Sequence, residues 1–175
     1  DLGRLTEALN ASQKAAELGP NDVEAHSNLG IISYELGNLE EAIAAFKMAI
    51  TIQPDYVHAH FMMGKALARL DRLEEAEAGY RQAIVLKSDF AEAHCNLGIT
   101  LKDLGRLDEA EASYRQAISL KPDYAIAHSS LGNTLKDLGR LDEAEASYRQ
   151  AILLKPDFAE AYCNLGIINY GNDNI

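Results

Sequence analysis

Residues 91–124, AEAHCNLGITLKDLGRLDEAEASYRQAISLKPDY, run directly into residues 125–158, AIAHSSLGNTLKDLGRLDEAEASYRQAILLKPDF. The two blocks of 34 differ at six positions: Glu92/Ile126, Cys95/Ser129, Asn96/Ser130, Ile99/Asn133, Ser119/Leu153 and Tyr124/Phe158. The first four changes fall at block positions 2, 5, 6 and 9, the i, i+3, i+4, i+7 spacing of one helix face. A unit copied nearly verbatim and then altered along one stripe reads as a fixed scaffold with a variable recognition surface.

The same period extends outward to both ends. Gly30, Gly64, Gly98, Gly132 and Gly166 recur at it, as do Ala42, Ala76, Ala110 and Ala144, and Ala49, Ala83, Ala117 and Ala151. Pro20, Pro54, Pro122 and Pro156 follow the rule, with Ser88 in the remaining slot. Taking Val23, Val57, Ala91, Ala125 and Ala159 as position 1 gives a single array over residues 1–175. It consists of a half-repeat at 1–22 (helix B only), full repeats at 23–56, 57–90, 91–124 and 125–158, and a half-repeat at 159–175 (helix A only).

Each full repeat reads as two helical runs broken near position 15. Gly3, Gly37, Gly105 and Gly139 occupy that break and can take the left-handed C-cap conformation; Asp71 fills it in the second full repeat and tolerates it less well. Acidic pairs such as Glu40-Glu41 and Asp108-Glu109 open helix B, where negative charge meets the positive helix end. Asp89…Glu92 and Asp157…Glu160 read as caps for helix A. Glu77–Arg81, Glu111–Arg115 and Glu145–Arg149 are spaced as i,i+4 ion pairs. Glycine at position 8 and alanine at positions 20 and 27 allow close helix approach, so larger residues there should overpack it.

Small residues at positions 8, 20 and 27, an aromatic at position 24 (Phe46, Tyr80, Tyr114, Tyr148) and proline at position 32 resemble the tetratricopeptide repeat (TPR). The family's usual tryptophan at position 4 is here His26, His60, His94, His128 and Tyr162. The resemblance implies an all-α fold: a right-handed α-solenoid of antiparallel helix pairs in which neighbouring repeats bury each other's apolar faces. The N-L-G triplets at 28–30, 96–98 and 164–166 also resemble the arrays that precede O-GlcNAc transferase catalytic domains. There a ladder of position-6 asparagines holds the substrate backbone; Asn28, Asn96 and Asn164 match it, and Met62 and Ser130 depart from it.

Composition narrows the function classes. Apolar content of 47% and charged content of 25% are those of an ordinary soluble protein. A net charge of −11 argues against nucleic-acid binding, which depends on neutralising phosphates. No apolar run is long enough to span a bilayer. Cys95 and Cys163 lie two whole repeats apart, too far for a disulfide in a solenoid, which favours a reducing compartment and a cytoplasmic location. Four of the five histidines share one repeat position that the family fills with a packing residue, and no His/Cys cluster has ligand spacing, so no metal and no cofactor are expected. Nucleotide, serine-hydrolase and zinc-protease motifs are absent, and the chain is read as not an enzyme.

In the family, helix A lines the concave face, and positions 2, 5, 6, 9, 12 and 13 point into the groove. The resemblance therefore implies a peptide-binding groove in four full-repeat sets and one partial set. The first is Glu24, Ser27, Asn28, Ile31, Tyr34 and Glu35; the second is His58, Phe61, Met62, Lys65, Ala68 and Arg69. Next come Glu92, Cys95, Asn96, Ile99, Lys102 and Asp103, then Ile126, Ser129, Ser130, Asn133, Lys136 and Asp137. Glu160, Cys163, Asn164, Ile167 and Tyr170 complete it. The family's clamp for acidic chaperone C-termini needs lysine at position 5, which none of these repeats supplies. Mixed amide, hydroxyl, apolar and charged groups suit an extended peptide. The expected function is a non-catalytic protein–protein interaction scaffold binding an extended peptide or partner helix. The alternatives are a substrate-recruiting arm of a larger enzyme such as a glycosyltransferase, or a module that self-associates head to tail through its terminal half-repeats. Partners are expected to be protein or peptide, with no nucleic acid and no membrane.

Overall fold

A computed structural model describes residues 2–172. Among them are ten α-helices: α1 (Leu2–Leu18), α2 (Val23–Glu35), α3 (Leu39–Ile52), α4 (Val57–Arg69), α5 (Leu73–Leu86), α6 (Ala91–Asp103), α7 (Leu107–Leu120), α8 (Ala125–Asp137), α9 (Leu141–Leu154) and α10 (Ala159–Asn172). Even-numbered helices are the A helices and odd-numbered ones the B helices. None is long and apolar enough to cross a membrane.

The residues fall into two compact units, Asp1–Ser88 and Asp89–Ile175. In the first, α2 pairs with α3 and α4 with α5, while α1 packs on α2 and α3 on α4. In the second, α6 pairs with α7 and α8 with α9, while α7 packs on α8 and α9 on α10. The A helices also touch one another within a unit, α2 against α4 and α8 against both α6 and α10. Each unit is a stack of antiparallel helix pairs, as the period predicts.

The hairpin is closed by an aromatic ring lying on a glycine. The Phe46, Tyr80, Tyr114 and Tyr148 rings on the B helices are almost fully buried. A Cβ added at Gly30 would lie 2.6 Å from the Phe46 ring; at Gly64 it would lie 2.9 Å from Tyr80, and at Gly98 and Gly132 2.7 Å from Tyr114 and Tyr148. Real Cβ atoms do not approach that closely, so only glycine admits the ring. Ala42, Ala49, Ala76, Ala83, Ala110, Ala117, Ala144 and Ala151 flank these rings with no exposed surface.

The turn between A and B helices has one form in four repeats. Gly37, Gly105 and Gly139 have φ of 81°, 75° and 76°, and Asp71 adopts the same left-handed conformation at 59°. In each, the left-handed residue's N–H and its successor's N–H return to carbonyls of the last helical turn. Gly105 N bonds to Lys102 O at 2.9 Å and Arg106 N to Leu101 O at 2.8 Å. This is the Schellman closure, which satisfies carbonyls the helix leaves orphaned.

Two local expectations are corrected. Gly3 is not in a turn, because α1 already runs through it from Leu2. The Asp89 cap does not form: the N-cap of α6 is Phe90, and no side chain caps that end. Among the A helices with an assigned cap, α2 is the one capped by a side chain, through Asp22 Oδ1 accepting from Glu24 N and Ala25 N. The signal lies at position 34, where Asp22 offers a short carboxylate to the helix start and Tyr56, Phe90 and Tyr124 make no cap bond.

The repeated histidines hold the turns between repeats. Nε2 of His26, His60 and His128 lies 3.0, 2.8 and 3.0 Å from the carbonyl of Pro20, Pro54 and Pro122. A carbonyl only accepts, so Nε2 carries the proton at each site.

The cradle and the turns make separable predictions. Gly98→Ala should destabilise the fold by about 1–3 kcal/mol through overpacking against Tyr114. Asp71→Gly should stabilise it by up to about 1 kcal/mol by relieving the left-handed conformation. Urea denaturation of the three proteins measures both.

Candidate recognition surface on the A helices

In the first unit the predicted residues project from α2 and α4. Glu24, Asn28, Glu35, His58 and Arg69 are exposed; Ile31, Tyr34, Lys65 and Ala68 are partly so. Ser27, Phe61 and Met62 are buried. Phe61 packs on the hairpin aromatic Tyr80, ring centroids 5.9 Å apart and tilted by 54°. Position 5 thus points inward at the helix pair instead of outward. Two cations cover Tyr34: Lys65 Nζ lies 5.1 Å and Arg69 Cζ 4.8 Å from its ring centroid. Arg69 Nη1 also donates to the Tyr34 carbonyl at 3.2 Å. Burial, reinforced by Lys65, holds the His58 imidazole below its ordinary range.

In the second unit the polar groups largely bind one another. Asn133 Oδ1 accepts from Tyr148 Oη at 2.7 Å and from Asn164 Nδ2 at 2.9 Å, while its Nδ2 donates to Glu160 at 3.2 Å. Asn96 Nδ2 turns back onto the Glu92 carbonyl at 2.8 Å. Lys102 pairs with Asp137 at 3.2 Å and Lys121 with Glu92 at 3.2 Å. Apolar groups are left uncovered instead: Ile99 is 39% exposed, Ile126 48% and Ile167 61%. Ser130 and Lys136 are partly exposed, Asp103 and Cys163 exposed, and the Tyr170 side chain lies outside the described residues.

The stripe that distinguishes residues 91–124 from 125–158 therefore has two faces. Its position-5 members, Cys95 and Ser129, are 1% and 2% exposed and sit inside the hairpin. Cys95 lies beside the Tyr124 hydroxyl; its counterpart Ser129 belongs to a repeat where Phe158 has replaced that tyrosine, and the Ser129 hydroxyl has no partner. Tyr114 lies beside Ser130 on α8, whereas Tyr148 Oη donates to Asn133 Oδ1 of its own repeat at 2.7 Å. The Cys95/Ser129 change is thus linked to Tyr124/Phe158, and the Asn96/Ser130 and Ile99/Asn133 changes to the tyrosine hydroxyls. Sequence reading missed this linkage, whose one signal was that positions 5 and 34 change together.

The histidines do not converge, and among the described residues no three His, Cys, Asp or Glu side chains could hold a metal ion. Desolvation dominates the titrations here. Burial raises the Tyr80, Tyr114 and Tyr124 hydroxyls well above their ordinary range, Tyr148 to about 12 and the Cys95 thiol to about 11.

Family models described as TPR repeat match residues 64–105, 100–139 and 132–173, and one described as Tetratricopeptide repeat matches residues 1–57. The chain belongs to the tetratricopeptide repeat family. No curated protein sequence matches it. Among solved structures this TPR chain is similar to the crystal structure of MamA, at 27% identity over 90% of this chain and 92% of that one, with a TM-score of 0.84. It is similar to TTC0263, a thermophilic TPR protein in Thermus thermophilus, at 28% identity, 97% and 92% coverage and a TM-score of 0.75. YrrB, a TPR protein with an unusual peptide-binding site, shares the fold at 23% identity, 95% and 86% coverage and a TM-score of 0.80. Fold and neighbours together support a protein-interaction scaffold.

The two cysteines should behave differently. At about pH 8 a disulfide reagent should modify Cys163 at once and leave Cys95 untouched until the protein unfolds, because burial suppresses its thiolate. Cys163→Ser should remove the fast phase of native thiol titration.

Proposed function

We propose that residues 1–175 form a single TPR array, with half-repeats at 1–22 and 159–175, that binds an extended peptide or a partner helix in the concave groove of its A helices. The observation that carries this reading is the uncovered isoleucine row of the second unit, Ile99 on α6, Ile126 on α8 and Ile167 on α10. Apolar side chains beside half-buried amides and hydroxyls, here Asn96, Ser130 and Asn164, offer pockets for alternate side chains and partners for a peptide backbone. YrrB, described as having a peptide-binding site, lends the same fold to such a role. The occupied hydrogen bonds of Asn96 and Asn164 argue that side-chain pockets, and not an asparagine ladder, would supply most of the affinity.

Panning a random peptide library on the whole chain tests this. Selected peptides should lose ~10–30-fold in affinity on Ile126→Lys, the range of a moderate interface anchor, with no change in thermal midpoint. Failure to select any binder, or binders indifferent to both Ile126→Lys and Asn96→Ala, would overturn the reading.

A further inference from the structure

The first unit carries a cationic site that nothing in the unit neutralises. Lys65 and Arg69 lie one turn apart on α4, and no carboxylate of the described residues comes within ion-pair distance of either. Arg72, three residues further on in this chain of net charge −11, is by contrast spent on Glu75 at 2.7 Å and Glu40 at 3.4 Å. Both cations are held in place beforehand. The Tyr34 ring lies beneath them at 5.1 and 4.8 Å, Arg69 is anchored to the Tyr34 carbonyl, and Phe61 supports Lys65 at 5.9 Å. Such contacts fix long side chains that would otherwise lose rotamer freedom on binding. His58 stands on the same face of α4, two turns before Lys65, and desolvation first, then the Lys65 charge, holds its imidazole below the ordinary range.

We propose that Lys65 and Arg69, seated on Tyr34, receive two acidic side chains of an extended peptide spaced as Asp/Glu-x-Asp/Glu. The spacing follows from helix and strand geometry. Four residues along α4 rise ~6 Å, and two residues of an extended strand advance ~6.6–6.8 Å with both side chains on one side. Acidic residues at i and i+2 therefore meet the two cations in register, while adjacent acidic residues point apart. A nucleic acid is disfavoured, since two local cations must then hold a polyanion against the chain's overall negative charge. The proposal rests on the groove reading above and names the partner chemistry for its first unit.

The same random library, panned on the whole chain, provides the test, together with two labelled peptides that differ in Glu-Ala-Glu against Gln-Ala-Gln. Selected sequences should be enriched in an acid-x-acid pair, and the Glu-Ala-Glu peptide should bind at least ~10-fold more tightly than its amide control, with the advantage shrinking as salt rises. Lys65→Ala and Arg69→Ala should each weaken it ~10-fold at unchanged thermal midpoint, and Lys65→Glu/Arg69→Glu should transfer the preference to a Lys-Ala-Lys peptide. Binders that lack the acidic pair, ignore both α4 substitutions and are lost on Ile126→Lys would overturn this inference and leave the groove reading standing. Absence of any binder would remove both.

Discussion

A ring on a glycine sets the geometry of every hairpin in this chain. With Gly30, Gly64, Gly98 and Gly132 facing Phe46, Tyr80, Tyr114 and Tyr148, helices A and B approach until the ring touches backbone. That distance decides which side chains can flank the contact, hence the fully buried alanines on either side. It also decides what remains outside. With positions 8, 20 and 27 consumed by packing, variation falls on the rest of helix A, the solvent face of helix B and the turn between repeats at position 34. One hairpin still exposes an apolar face, which neighbouring pairs cover by stacking.

The variable stripe is less independent of that core than its spacing suggests. A tyrosine ring buried on glycine brings its hydroxyl to the A-helix surface, where the hydroxyl requires a partner. Tyr148 donates to Asn133 and Tyr114 lies beside Ser130, so surface positions 9 and 6 answer to a core residue. In the first unit the equivalent surface is apolar and cationic, with Phe61, Tyr34, Lys65 and Arg69 in mutual contact. The units present different chemistries from one scaffold: half-satisfied amides among isoleucines in one, unneutralised cations on an aromatic base in the other.

Period and small-residue pattern made the helices, their pairing and the tight glycine contacts legible in the sequence. Regular spacing encodes regular geometry, and the left-handed turns followed from three glycines and their aspartate substitute. Other features depended on a neighbour that one repeat cannot reveal. Asp89 reads as a cap on spacing alone, yet the cap position of α6 falls one residue later, at Phe90. Position 5 reads as groove-lining by resemblance, yet Ser27, Phe61, Cys95 and Ser129 are buried against the hairpin. The histidines' role as ties to a carbonyl six residues back was invisible without coordinates, because the acceptor is backbone and carries no sequence signal.

The charged face of the B helices has a mechanical meaning. In the second unit Glu111 accepts from Arg115 on its own helix at 2.8 Å and from Arg140 at 2.6 Å, while Glu143 accepts from Arg140 at 2.7 Å and Arg115 at 3.3 Å. The four charges form a closed loop across the seam between α7 and α9, where no aromatic ring is locked onto a glycine. Hairpin interiors and the packing of α7 on α8 rest on buried area, which added salt hardly weakens; the charge loop adds a contribution that salt screens within about 10 Å at 0.1 M. Ionic strength can therefore adjust the link between the solvent faces of α7 and α9 while leaving the buried contacts within and between repeats alone.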